Sequence, residues 1–196
     1  MIENLVDRLV DFVITDTATN EKMRDWYVYS LLHIVETMVS CVTVLMIGFV
    51  SGQTIPVFLF LVFFLLLRSK TGGFHCDSFK NCYFGTIICV IGVEAIEYML
   101  RNNVVVIHSL FVFAFLTVGA IGALNHPNVN MDQKEFTDAK RMARIILFIE
   151  TIVIAVFLGL KADRELTNYM MLAVILNAVL ILIGKNKHQE VKEYEQ

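Results

Sequence analysis

Apolar residues gather in six stretches, at Leu31–Val50, Ile55–Leu67, Tyr83–Leu100, Val104–Leu124, Ile145–Leu160 and Tyr169–Ile183, separated by short polar segments. Crossing the hydrocarbon core takes roughly 20 helical residues, with about 17 tolerated. Three of the stretches fall short by that measure. Ile55–Leu67 can start back at Ser51, where Pro56 sits near the first turn and costs little. The last two are flanked by Thr, Asn and Lys, whose stems can snorkel to the interface. The pattern predicts an all-α, polytopic integral membrane protein with six transmembrane helices; five is the next count it allows. Before the first stretch, Ile2, Leu5, Val6, Leu9, Val10 and Val13 recur at helical spacing, opposed by Glu3, Asp7, Arg8 and Asp11. That stripe predicts an amphipathic N-terminal helix, lying on the membrane or packed on the protein's own loops. Trp26, Tyr27 and Tyr29 read as interface anchors. Residues 1–196 read as a single membrane domain: an amphipathic segment at 1–25, a six-helix region at 26–184 and a tail at 185–196.

Composition agrees. Hydrophobic residues make up 57% and charged ones 18%, whereas a soluble domain carries about a quarter charged. A net charge of -3 gives a nucleic acid no electrostatic reason to bind. The start, Met1-Ile2-Glu3-Asn4, lacks the basic and apolar regions of a cleavable signal peptide. The cysteines, Cys41, Cys76, Cys82 and Cys89, form no CxxC pair and no disulfide framework. Charge also orients the chain. With six spans, Arg8, Lys22, Arg24, Arg68, Lys70, Lys80, Lys134, Lys140, Arg141, Arg144, Lys185, Lys187 and Lys192 fall on one side. Only Arg101, Lys161 and Arg164 of the 16 basic residues fall on the other. The positive-inside rule makes the larger set cytoplasmic, with both termini and the second and fourth connections.

The second connection carries the chemistry: Arg68-Ser69-Lys70-Thr71-Gly72-Gly73-Phe74-His75-Cys76-Asp77-Ser78-Phe79-Lys80-Asn81-Cys82. Gly72-Gly73 can end one helix and admit a close backbone approach. Asp77 or Ser78 can cap the next. Cys82 then lies in or just past that helix's first turn, where the dipole and a nearby His75 cation favour a thiolate. On one continuous helix, His75 and Cys82 would be separated by a rise of about 10.5 Å, too far for contact. A catalytic pair therefore requires His75 in a loop folded back over the helix start. Such a couple performs acyl transfer: thiolate attack, then proton donation from His75 to the leaving amine. The plainer reading is a packed cysteine beside a capping histidine. A zinc site from His75, Cys76 and Cys82 lacks a fourth ligand.

Arg-x-x-x-Gly-Gly-x-His, with Cys seven residues later between two spans, resembles the accessory gene regulator B family of membrane cysteine endopeptidases. The resemblance extends in outline to chain length, the amphipathic start, six spans and a later cytoplasmic loop. There His126-Pro127-Asn128-Val129-Asn130-Met131-Asp132-Gln133-Lys134 only loosely follows the family's Ala-Pro-x-Asp…Asn-Lys-Pro pattern. The resemblance implies that Cys82 and His75 cut the C-terminal part from a small quorum-sensing propeptide, a substrate with an amphipathic N-terminal helix. The remainder is held as a thioester until an internal Cys of the peptide displaces it as a thiolactone. The catalytic pair and Arg68, Gly72 and Gly73 are carried over on this basis. No cofactor and no metal are expected, because the acyl bond's free energy passes from thioester to thiolactone. Backbone N–H groups near Cys82, with Asn81 or Ser78, are the expected oxyanion donors. Arg68 can hold the substrate, brace the loop or snorkel. The resemblance also implies pairing of two copies, for which Gly119-Ala120-Ile121-Gly122 offers a close-packing face.

Other ionisable residues fall inside the spans. His33 and Glu36 share one face near the start of the first, and Glu94 and Glu97 share one near the end of the third. Topology places the two pairs at opposite membrane faces, which argues against one metal centre. Glu36 or Asp77 could orient His75, or no carboxylate does; Glu94 and Glu97 read as outer-interface residues near Arg101. A transporter is the competing class, motivated by these intramembrane carboxylates.

Overall fold

The computed structural model describes residues 21–74, 79–125 and 131–187, and within them not the side chains of 21–30, 32, 33 and 79. Six helices follow in order: α1 Glu21–Val50, α2 Thr54–Thr71, α3 Phe79–Leu100, α4 Val104–Ile121, α5 Gln133–Gly159 and α6 Arg164–Asn186. Helices α2 to α6 are all long and apolar enough to cross a membrane, and α1 contributes an apolar stretch at Ile34–Val50. The protein is an all-helical, multi-pass membrane protein. The amphipathic segment before Glu21, the anchor side chains Trp26, Tyr27 and Tyr29, and His33 lie outside the description.

The helices outrun their apolar stretches, which resolves the short spans. Pro56 stands in the first turn of α2 and is buried, where its missing N–H leaves no helix bond unmade. Helix α5 starts at Gln133, so Lys134, Lys140, Arg141 and Arg144 belong to a helix rather than a loop. A capping box opens it: Asp132 Oδ1 accepts from the Glu135 amide at 2.7 Å, and Glu135 Oε2 from the Asp132 amide at 3.0 Å. Asp163 caps α6, accepting from the Glu165 amide at 3.0 Å.

By compactness the chain forms two units, Met1–Thr43 and Val44–Gln196. In the first, the described residues continue α1, with Ser40 Oγ donating to the Glu36 carbonyl at 2.9 Å. In the second, α6 is the hub. It packs most extensively against α2 and α4, and also against α3 and α5. Every residue of 167–174 is buried, and only a helix surrounded on all sides hides every face. The outer faces of α3, α4 and α5 instead expose large apolar side chains such as Ile88, Phe113 and Phe148, suited to lipid.

Each end of this unit has its own chemistry. At one, Glu97 is buried on α3 and pairs with Arg101 at 2.9 Å; Arg101 also reaches Glu165 at 2.8 Å, and Asn168 donates to Glu97 at 3.3 Å. Glu94 accepts from Ser51 Oγ at 2.9 Å. Glu97 thus pairs with Arg101 as expected, with Glu165 and Asn168 added from α6, while Glu94 bonds Ser51 instead. At the other end the second connection, the fourth connection and the end of α6 meet, as the charge distribution requires.

Between the ends lie two apolar clusters, which adjoin on α6 at Ala173 of one and Val174 of the other. On α5, Glu150 stands between Leu147 of one cluster and Ile154 of the other; on α6, Asn177 stands between Val174 and Ala178 of a single cluster. Asn177 Nδ2 donates to the Phe64 carbonyl at 3.3 Å. Glu150 is 3% exposed, and neither of its carboxylate oxygens meets a donor among the described residues. Burying a polar group without a hydrogen bond costs about 1–3 kcal/mol by protein mutational measures. Glu150→Leu, of similar volume, is therefore expected to raise unfolding free energy by about that amount. Thermal unfolding in micelles measures it; a lower midpoint would mean that Glu150 has a partner in the folded protein.

Candidate active-site loop

Helix α2 stops at Thr71 because the next two residues take conformations open to glycine: φ is +61° at Gly72 and +114° at Gly73. The Gly72 amide closes the last turn onto the Arg68 carbonyl at 3.1 Å. Arg68 then folds back over the turn it ends. Its guanidinium donates through Nη1 to the Gly72 carbonyl and through Nη2 to the Phe74 carbonyl. One planar fork thereby fixes two carbonyls that the helix leaves unpaired. These two bonds brace the turn.

Two other segments hold the same turn. The Leu124 amide donates to the Thr71 carbonyl at 2.9 Å, and the Phe74 amide donates to the Leu180 carbonyl of α6 at 3.0 Å. Contact is close enough to exclude a methyl group. A Cβ on Gly72 would lie 2.9 Å from the Leu124 oxygen, one on Gly73 would strike Arg68 Nη1, and one on Gly184 would lie 2.9 Å from the Phe74 nitrogen. The Lys187 ammonium sits 5.0 Å from the Phe74 ring centroid, a cation–π distance. Asn125, fully buried, closes the fourth connection, exchanging two hydrogen bonds of 2.9 Å with the Met131 backbone.

Cys82 is half-buried in the first turn of α3, and its carbonyl accepts from Thr86 Oγ1 at 3.0 Å. It forms no disulfide. It lies within electrostatic reach of Arg68 on α2. No acidic residue shares the first turn, while Lys80 and Asn81 there are exposed. The positive end of the helix dipole and the Arg68 cation act on the sulfur in the same sense. A cysteine so placed can carry negative charge and attack a carbonyl.

The structure therefore brings together Arg68, Gly72, Gly73 and Cys82 from the sequence-derived set. His75, Asp77 and Ser78, with Cys76, lie outside the described residues, as do His126 to Asn130 of the second loop. Glu36 belongs to the other compact unit. Sequence reasoning missed Leu124, Leu180, Gly184 and Lys187. Gly184, in the last turns of an apolar helix and just before Lys185, offered a faint sign of close packing.

A cysteine in a helix's first turn, near an arginine-clamped glycine turn at one end of a helical bundle, defines a class: multi-pass membrane proteins with a candidate thiol site. Residues 3–183 match the family described as AgrB, accessory gene regulator B. This chain belongs to that family. It is also similar to two Clostridium perfringens proteins named for their likeness to AgrB. One, from strain 13 / Type A, is 23% identical over 190 residues, covering 89% of this chain and 86% of the relative. The other, from strain SM101 / Type A, is 24% identical over 188 residues, covering 90% and 87%. No solved structure matches the chain.

Proposed function

We propose that this chain is a membrane cysteine endopeptidase that trims a quorum-sensing propeptide and passes it on as a thiolactone. Family membership supplies the reaction class. The observation that carries the residue assignment is Cys82, in the first turn of α3 and within reach of an Arg68 that clamps the two carbonyls framing Gly73-Phe74, directly before His75.

The Cys82 thiolate attacks the scissile carbonyl. Its oxygen becomes an oxyanion facing the backbone N–H groups at the start of α3, with Asn81 or Ser78 adding a donor. The C–N bond then breaks as His75 protonates the leaving amine, releasing the C-terminal part and leaving a thioester on Cys82. A cysteine thiol within the bound peptide gives up its proton to His75 and attacks that thioester. Cys82 departs as thiolate, and the ring closes. Water must be kept away between the two steps, because hydrolysis would yield a linear peptide. A site at the end of a lipid-embedded bundle serves that need. Asp77 can orient His75, though the reaction does not require a carboxylate there, and the propeptide approaches with its amphipathic helix on the bilayer. Pairing of two copies through Gly119-Ala120-Ile121-Gly122 belongs to the same reading.

The site faces the cytoplasm, supported by the basic residues grouped at its end of the bundle. With a single engineered cysteine at position 134, an impermeant thiol reagent on intact cells should leave the protein unlabelled; strong labelling from outside would reverse this orientation. The function itself is tested by co-expression with short candidate precursors and mass spectrometry of the products. A cyclic product lighter by one water than the linear cleaved peptide is the expected result. Unprocessed precursor in every pairing, with the protein folded in the membrane, would favour the transporter reading.

A further inference from the structure

Helix α5 changes character abruptly. Residues 133–144 carry Lys134, Lys140, Arg141 and Arg144, while Ile145 begins an apolar run. A helix passing from water into hydrocarbon makes this change at the interface, where phospholipid headgroups lie. At that level Arg141, Arg144, Ile145, Phe148 and Ile149 line a shallow groove of about 460 Å³. Their spacing of i, i+3, i+4, i+7 and i+8 makes one continuous stripe on the helix. The three apolar members are open, with Ile145 41%, Phe148 62% and Ile149 54% exposed.

The arginines stand in contrast to Arg101 at the opposite end, which is paired with both Glu97 and Glu165. Neither Arg141 nor Arg144 has a carboxylate partner among the described residues. Arg144 is nevertheless held in place, its Nε donating to the Gly119 carbonyl of α4 at 3.0 Å. That bond leaves the terminal amino groups of a fixed, planar cation at the mouth of an apolar stripe. A guanidinium fork matches phosphate oxygens in geometry as well as charge. We propose that this groove binds one anionic phospholipid, its phosphate between Arg141 and Arg144 and an acyl chain along Ile145, Phe148 and Ile149. A soluble anion would leave the apolar half uncovered. A choline lipid would bring its own cation to a site that already holds two. An anionic lipid satisfies both halves, and the site is independent of the peptidase reading.

Native mass spectrometry of the full-length protein in mild detergent tests this, with phosphatidylglycerol, phosphatidylcholine and glycerophosphate as separate probes. Phosphatidylglycerol should be retained about tenfold or more over phosphatidylcholine, given two basic groups at the headgroup level. The Arg141→Gln/Arg144→Gln double variant should lose that preference while keeping its phosphatidylcholine adducts. Arg141→Lys/Arg144→Lys keeps the charges without the fork and should retain part of the preference, which guards against a misfolded glutamine variant. Phe148→Ser should weaken retention of both lipids, and glycerophosphate should not compete. Equal retention of the two lipids by the native protein would overturn the proposal, as would an undiminished preference in the glutamine variant. Full competition by glycerophosphate or by a precursor peptide would assign the groove to a soluble anion or to the substrate instead.

Discussion

Cys82→Ala, co-expressed with a processed precursor, should release no cyclic peptide and carry no adduct. Cys82 is the only nucleophile this chain contributes to the proposed reaction, so its loss removes both the cut and the capture. His75→Ala should leave the nucleophile but slow capture by about 10²–10⁴-fold, the usual range for general acid–base help. The informative third arm changes the substrate. With the precursor's ring-forming Cys replaced by Ala, cleavage remains available but the intramolecular acceptor is gone. A hydroxylamine-sensitive adduct should then accumulate on Cys82, since only water or the returning amine can discharge it. Intact-mass measurement reads all three arms. Cyclic peptide released by Cys82→Ala would place the chemistry elsewhere in the chain.

The helix end before the loop and the thiol's place in a first turn were legible in the sequence; the scaffold around them was not. Gly72-Gly73 announced a helix end, and the two residues do take positive φ there. The spacing to Cys82 put the thiol in a first turn, where it lies. The segments docked on the turn, at Leu124, Leu180 and Gly184, come from far along the chain, and no local pattern marks the first two. The apolar stretches likewise located the helices but not their order of burial. In a soluble bundle the hydrophobic stripe points to the core, whereas lipid and protein interior both accept Leu, Ile and Phe. Helix α6 could therefore not be recognised as the hub from its apolar residues. Its polar and small residues hold the better signal: Thr167, Asn168, Asn177 and Gly184 are all buried.

The same limit applied to Glu150. It sits where the polar start of α5 has already given way to an apolar run, and it stands alone, without the i, i+3 partner that drew notice to Glu94 and Glu97. The basic residues were more informative, because their grouping reflects the bilayer and not the core. Leu124 bonded to Thr71, and Phe74 to Leu180, join the three connections and helix ends that the charges assigned to one side.

Gly184 should therefore be far more sensitive than its position in a helix suggests. A Cβ there would lie 2.9 Å from the Phe74 nitrogen, 3.0 Å from Leu124 Cδ1 and 3.1 Å from the Gly73 carbonyl carbon. Two of these neighbours are backbone atoms of the turn that leads into His75. Gly184→Ala must push that turn aside by a few tenths of an ångström, and Gly184→Leu by more. Because a displacement of about 1 Å can cost ~10²-fold in rate, capture should fall roughly tenfold for Ala and about a hundredfold for Leu. Overpacking costs typically ~1–3 kcal/mol, so the thermal midpoint should move far less than the rate. Gly92 and Gly85 on α3 provide the contrast, since a Cβ at either meets nothing within 4 Å. Gly92→Ala should be neutral or stabilising by up to about 1 kcal/mol, the helix propensity difference, with capture unchanged. Rates of acyl-enzyme formation, measured beside unfolding midpoints for the same preparations, separate the two effects. Full activity in Gly184→Leu would show that α6 does not set the position of this loop. Equal losses in Gly184→Ala and Gly92→Ala would trace both to helix packing in general, not to the contact with Phe74.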